Sequence, residues 1–286
     1  MAKNKALSLR VQWLGDRLRQ ARDAAGFTLE DAAEYLQIRG ATLSRFENGV
    51  YRPKPSYVRD LVDFYGISDE PERAVLLQLN EDAWRKDVWI GNAKNIDKDF
   101  IDYAWLEARA SKVCVFEPLL IHGLLHTPAY AEALATAGLG DSAPREEIER
   151  TATVRAKRQT ILDGDKPCEL SVVLEETPLR RAIGDPTTQA AQLKHLIDAG
   201  RKSNIDIRVL PRRGRWHPGL DGPFTLIDMP DPYPDVVYIE TLVGRTFLED
   251  EAKVDQYRQA YDRLHEQALA PRESTKLIRE VMREIE

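Results

Sequence analysis

The sequence predicts a multidomain chain, an all-α amino-terminal head followed by a mixed α/β (α+β) body. Three observations carry this. Up to about residue 86, apolar residues recur only at helical spacing, punctuated by capping signals. Beyond residue 98, short apolar runs of strand length alternate with helical stretches. The charge balance also changes sign between the two parts. A chain of 286 residues has room for two separate cores.

In the head, Val11, Leu14, Leu18 and Ala21 mark a first helix after a polar arm (1–8), and Gly26 stops it. Thr28, with Asp31 three residues on, reads as a capping box for a second helix whose narrow apolar face is Ala32, Ala33 and Leu36. A turn at 37–40 leads to a third helix, ATLSRFENG, stopped by Gly49. The two prolines of YRPKP keep the chain extended. Ser56 is the expected cap of a fourth helix with Val58, Leu61, Val62 and Tyr65 inward. Residues 70–86 read as a fifth, with Leu76, Leu77 and Leu79 on its apolar side. The expected divisions are 1–70 for the head, 71–98 for a helical connector and linker, and 99–286 for the body.

In the body, helices are expected at 99–110, from Pro128 to about Ala137, over 144–163, over 187–202, and as a pair in 249–286 broken at Pro271. Strands are expected at KVCVFEP (112–118), 169–174, 205–210, 224–228 and 236–240, with a weaker one near 246–248. Strands mixed with helices imply a mixed sheet.

The net charge of −6 divides unevenly: residues 1–55 hold ten Lys/Arg against six Asp/Glu, a balance of +4, leaving −10 for the rest. A basic head on an acidic body can still meet a polyanion, because phosphates sense charge over a Debye length of roughly 8–10 Å. The acidic body argues against a nucleic acid wrapped around the whole molecule. No apolar run approaches eighteen residues, so no membrane span or membrane partner is expected. The start of the chain lacks a secretion signal, and the expected location is cytoplasmic. The two cysteines, Cys114 and Cys168, have no metal-ligand spacing and read as buried, reduced thiols.

Ala33 is the small residue that a helix-turn-helix needs where its second helix packs beneath the third, and Gly40 lies near the tight turn. Leu43 and Phe46 anchor the third helix inward and leave Thr42, Ser44 and Arg45 facing out. With ENG and the basic RPK behind it, LGDRLRQARDAAGFTLEDAAEYLQIRGATLSRFENG resembles the phage-repressor (XRE) class of helix-turn-helix proteins. That resemblance implies binding to a double-stranded DNA operator. It places the base-reading positions at Gly40, Ala41 and Arg45, of which only Arg45 offers a guanine a bidentate contact. Arg39, Thr42 and Ser44 are further candidates for base or phosphate. Leu29 stands where the class has a polar phosphate ligand. Phosphate grip therefore falls to backbone amides near Asn48 and to Arg52 and Lys54. With direct readout this thin, dimerisation and DNA shape should supply much of the specificity.

The ordered series LEARA (106–110), FEPLLIHGLLHTPAYAEAL (116–134), RAKRQTIL (155–162), LEETPLRRAIGD (174–185), VLPRRGRWHPGLDGPFTLIDM (209–229) and VVYIE (236–240) is similar to the C-terminal domain of unknown function in actinobacterial, WhiJ-like regulators. The resemblance implies transcriptional control and a small protein partner encoded nearby; the alternative it offers is an antitoxin-like chain that neutralises that small protein and regulates its own operon. A homodimer is expected, with Tyr257, Tyr261, Leu264 and Leu269 as one candidate surface. Physically, the basic, glycine-rich loop with Arg212, Arg213, Arg215, Trp216 and His217 could receive an anionic ligand or an acidic partner surface; the alternative is a solvated turn. His122 and His126 are four apart, yet lack a matching carboxylate or cysteine pair, so no metal is expected. Glu175 and Glu176 with Arg180 and Arg181 read as ion pairs. With no nucleophile elbow, phosphate-binding glycine loop or HExxH motif, neither an enzyme nor a cofactor is expected.

Overall fold

The computed structural model describes residues 8–85, 98–140, 143–214 and 216–285. The chain clusters into two compact units, 1–102 and 103–286. The polar arm and most of the expected join fall outside the described residues.

The head is all helix: α1 (Leu9–Ala24), α2 (Leu29–Tyr35), α3 (Gly40–Glu47), α4 (Pro55–Phe64) and α5 (Glu70–Trp84). Its core is Val11, Leu14, Leu18, Ala32, Leu43, Val58, Leu61 and Val62, each fully buried. Such aliphatic side chains contribute about 1.5–3 kcal/mol apiece on burial. The capping box forms: the Asp31 amide donates to Thr28 Oγ1 at 3.1 Å, and the Thr28 amide donates back to Asp31 Oδ2 at 2.8 Å. Gly49 takes φ +64° to end α3, and a Cβ there would lie 2.8 Å from Gln12. Three expectations need correction. Lys54, not Ser56, caps α4, because Pro55 has no N–H to lose at the first helical position. Leu77 is exposed, so the buried side of α5 is Leu76, Leu79 and Ala83. The α2–α3 turn rests on Gln37, at φ +54°, while Gly40 already belongs to α3.

The body opens with α6 (Lys98–Glu107) and carries one six-stranded sheet, ordered β3-β2-β1-β4-β5-β6. The strands are β1 (Lys112–Glu117), β2 (Glu169–Glu175), β3 (Ile205–Leu210), β4 (Phe224–Asp228), β5 (Val236–Thr241) and β6 (Gly244–Leu248). β1, β2 and β3 are parallel; β4 is antiparallel to β1, and β5 and β6 continue antiparallel. Between β1 and β2 lie α7 (Pro128–Leu139) and α8 (Arg145–Arg158). Between β2 and β3 lie α9 (Glu176–Arg180), which the sequence pattern had not marked, and α10 (Pro186–Ala199). The chain closes with α11 (Glu251–Gln267) and α12 (Pro271–Ile285). Val113 and Val115 face one core with Tyr130, Leu193 and Ile278; Cys114 and Phe116 face another with Val254, Tyr261 and Leu264. This double burial explains the unbroken apolar run of β1. It also corrects the expected dimer surface, since Tyr261 and Leu264 are buried against the sheet of their own domain, with Tyr257 packed beside them.

His122 and His126 flank a 3-10 turn (Gly123–Leu125) rather than sharing a helix face. His126 Nε2 donates to the Ile121 carbonyl at 2.7 Å, and His122 Nε2 lies 3.0 Å from the Tyr103 hydroxyl. Among the described residues no group of three His, Cys, Asp or Glu could hold a metal. Burial, with Arg158 alongside, pushes His122 down to about 3, and burial likewise brings His126 to about 3 against its Ile121 bond. Burial, then the Glu240 charge, pushes Glu117 up to about 8.

These shifts give a stability profile with a definite sign. Between pH 3 and 6.5 the unfolded chain protonates two histidines that the folded body keeps neutral, so their contribution is lost as pH falls. Between pH 4.5 and 8 the folded body holds a proton on Glu117 that the unfolded chain releases, so stability falls as pH rises. For His122, His126 and Glu117 together the net from pH 4.5 to 6.5 is one proton, a rise of about 1.4 kcal/mol per pH unit to which His195 adds; above 6.5 only the falling limb remains. Urea unfolding across this range should show a maximum near pH 6.5. His195, also lowered by burial, acts with the other histidines. Glu117→Gln should abolish the fall above pH 6.5; a profile identical to wild type would refute the Glu117 assignment.

Candidate nucleic-acid interface

In the head the candidate interface is the outer side of α3. Leu43 and Phe46 are buried beneath it, Thr42 and Ser44 are half-buried, and Arg39, Ala41 and Arg45 are exposed. Arg39 is the N-cap of α3 and places no side-chain hydrogen bond on the helix. The Arg45 guanidinium lies over the Tyr51 ring, 5.1 Å from its centroid, with the Tyr51 hydroxyl 3.5 Å away. A planar cation held against an exposed aromatic face has lost part of its rotamer freedom before any ligand arrives. Tyr51 had no place in the sequence reading; only the tight turn after Gly49 brings it back to Arg45.

The back of α3 is held by an ion pair. Arg22 on α1 donates from Nε to Glu47 Oε1 at 2.8 Å and from Nη2 to Oε2 at 3.0 Å, and its Nη1 donates to the Phe27 carbonyl at 2.9 Å. Glu47 is nearly inaccessible, with 3% of its side chain exposed. Hydrogen bonding to Glu47 raises the Arg22 pKa further above its usual range.

One expected phosphate contact is corrected, that of the amides near Asn48. The amides of Asn48, Gly49, Val50 and Tyr51 already donate to the carbonyls of Ser44, Phe46, Arg45 and Arg45. The Asn48 side chain also turns back, donating to the Ser44 carbonyl at 2.6 Å. Arg52 is half-buried, with its guanidinium 5.0 Å from the Trp84 ring centroid, and burial lowers its pKa. Trp84 in turn donates to the Pro53 carbonyl at 2.8 Å. Lys54 remains exposed. On α2, Glu30, Asp31 and Glu34 are all exposed, an acidic surface that phosphates avoid.

In the body, β1, β2, β3 and β5 run in one direction, so the loops after them share one end of the sheet. The basic loop leaves β3 there. Arg212 and Arg213 are exposed and Trp216 is 70% exposed, while His217 is buried; Arg215 lies outside the described residues. The loop is tethered at its start by the Arg212 amide, which donates to Glu176 Oε2 at 3.0 Å. Glu176 also accepts from Arg180 at 2.7 Å, as the ion-pair expectation had it. Glu175 instead faces His217, 3.3 Å from its Nε2. A 3-10 turn (Pro218–Asp221) follows, and Gly219 lies so close to Phe116 that a Cβ would come within 2.3 Å of the ring.

A model described as a helix-turn-helix domain matches residues 13–76, and one described as a domain of unknown function, DUF5753, matches residues 100–280. The chain belongs to the DUF5753 family. Neither a curated protein nor a solved structure matches it. Its helix-turn-helix domain makes this DUF5753 protein a DNA-binding regulator in general architecture. The DUF5753 match spans the whole sheet and both faces of helices, so the basic loop and the buried histidines are parts of that domain. No helix of the described residues is long and apolar enough to cross a membrane.

Proposed function

We propose that the protein is a sequence-specific transcriptional regulator that binds its operator through the outer side of α3 as a homodimer. In this reading residues 1–70 are the DNA-binding head, 71–98 the connector, and 99–286 a body that receives a ligand or small protein signal, as in WhiJ-like regulators. The observation that supports it most is the pairing of Arg45 with Tyr51 on an exposed helix whose back is fixed by the Arg22–Glu47 pair. Arg45 reads a guanine; Arg39 and Lys54 meet phosphates; Ala41, Thr42 and Ser44 lie against the groove. Gly40 lets α3 approach closely without contributing a side chain. One base-reading arginine per copy is too little for specificity alone, which favours two copies on one site.

A genome-wide map of bound DNA supplies the operator on which this is tested. Arg45→Ala should weaken operator binding roughly 5- to 150-fold, about 1–3 kcal/mol, and relax preference at one base pair per half-site. Arg39→Ala should weaken all sequences alike and reduce the salt slope by about one. For about four to six phosphates neutralised per dimer, log affinity should fall with log salt at a slope near −4 to −5. Unchanged base preference in Arg45→Ala, measured by binding-site selection, would remove Arg45 from the reading.

A further inference from the structure

Beyond β3 the basic loop borders a cleft of about 470 Å³, within the size range of sites for small organic molecules. Leu210 and Pro211 form an apolar wall, with Arg213, Trp216, His217 and Gln267 completing the lining. The location follows a general rule of open sheets, in which ligands bind beyond the carboxyl ends of parallel strands.

Two features of the lining point to an occupant. Trp216 is 70% exposed, an indole face left uncovered by its own domain. His217 is 8% exposed, and its Nδ1 is buried without a hydrogen-bond partner, although its Nε2 is engaged with Glu175. A buried ring nitrogen without a partner costs free energy unless something meets it. His217 cannot swing away, because its ring packs edge-on to Phe116 at 5.9 Å and the following turn is seated on that same phenylalanine.

We propose that this cleft binds a small planar carboxylate, its ring stacked on Trp216, its carboxylate held by Arg213, and a ligand hydroxyl or N–H, where there is one, donated to His217 Nδ1, which is left an acceptor while Nε2–H faces Glu175. The indole selects a flat, unsaturated body, and the guanidinium fork matches a carboxylate in bidentate geometry. The proposal rests on the reading of the body as the signal-receiving part, and names the chemistry of the signal.

The test is isothermal titration of the full-length protein with 2-naphthoate, with 2-naphthamide and acetate as controls. One naphthoate per chain should bind, and the amide and acetate should each bind at least about tenfold more weakly. Trp216→Ala and Arg213→Gln should each weaken naphthoate by about tenfold or more, while Trp216→Phe should stay within about threefold of wild type. Both side chains are exposed, and unchanged thermal unfolding of the variants would show that the fold is intact. Absence of naphthoate binding, equal binding of the amide, or unaltered binding in both variants would overturn the proposal. Arg45→Ala should leave naphthoate affinity unchanged. Wild type that binds its operator but not naphthoate would reject the cleft alone; naphthoate binding without any bound DNA would reject the regulator reading alone.

Discussion

Arg158→Met should cost the body about 3–5 kcal/mol of unfolding free energy, a large part of the 5–15 kcal/mol that holds a typical domain together. Arg158, at the end of α8, donates to both oxygens of Glu107, at the end of α6, at 2.6 and 2.7 Å. Their side chains are 5% and 1% exposed. Burial alone lowers the Arg158 pKa, but the Glu107 charge and hydrogen bonds override this and raise it. Removing the guanidinium strands a carboxylate where water cannot reach. His122, 4.0 Å from Glu107, is held neutral by burial and by the Arg158 charge while the pair is intact. Tyr103 would also lose the cation 5.1 Å from its ring centroid. The control is the double variant Arg158→Met/Glu107→Leu, which should recover more than half of the loss, since an apolar pair of similar volume avoids the desolvation cost. Urea unfolding of wild type, Arg158→Met and the double variant gives the comparison; a single variant that loses less than about 1 kcal/mol would mean that water or another cation reaches Glu107.

Arg22→Met should destabilise the head by a similar amount and abolish operator binding, although Arg22 faces away from the DNA surface. The methionine leaves Glu47 buried without its two donors and the Phe27 carbonyl without one. Because Glu47 is the last residue of α3, the helix end that carries Arg45 loses its attachment to α1. Hydrogen exchange should accelerate in α1 and α3 and stay unchanged in the β1–β3 amides, since the two units have separate cores. Arg22→Lys should fall between, keeping the charge without the fork. The contrast with Arg45→Ala is diagnostic, because that variant loses affinity with stability intact. Normal exchange in Arg22→Met would show that the pair contributes little to holding α3.

Much of the fold was legible in the sequence because it depends on local rules. Thr28 and Asp31 cap α2 through bonds within one turn, Gly49 stops α3 through its own φ, and the apolar runs at 205–210 and 236–240 are strands wherever they pair. The five-residue helix α9 escaped because it is too short to show a period, and Leu77 was misplaced because a helix face is known only when its partner is. The interface was legible in part: Leu43 and Phe46 turn inward and Arg45 outward by helical spacing alone. The amides near Asn48 were misjudged because their acceptors come from the folded path of the chain, which also sets Arg52 against the Trp84 ring.

The sequence by itself determined an all-α head of the helix-turn-helix kind, a mixed sheet later in the chain, and an Arg45 that faces out of α3, since periodicity, caps and charge are properties of neighbouring residues. Only the tertiary structure decided that Glu47 is buried beneath Arg22, that Gly15 must lack a side chain, and that His217 keeps a ring nitrogen unpaired beside Trp216. A Cβ on Gly15 would lie 2.5 Å from the Phe46 carbonyl oxygen, a contact between helices that no spacing reveals. The physical reason is the same in each case: burial and hydrogen-bond partnership depend on groups distant in the chain, and these exist as neighbours only after folding.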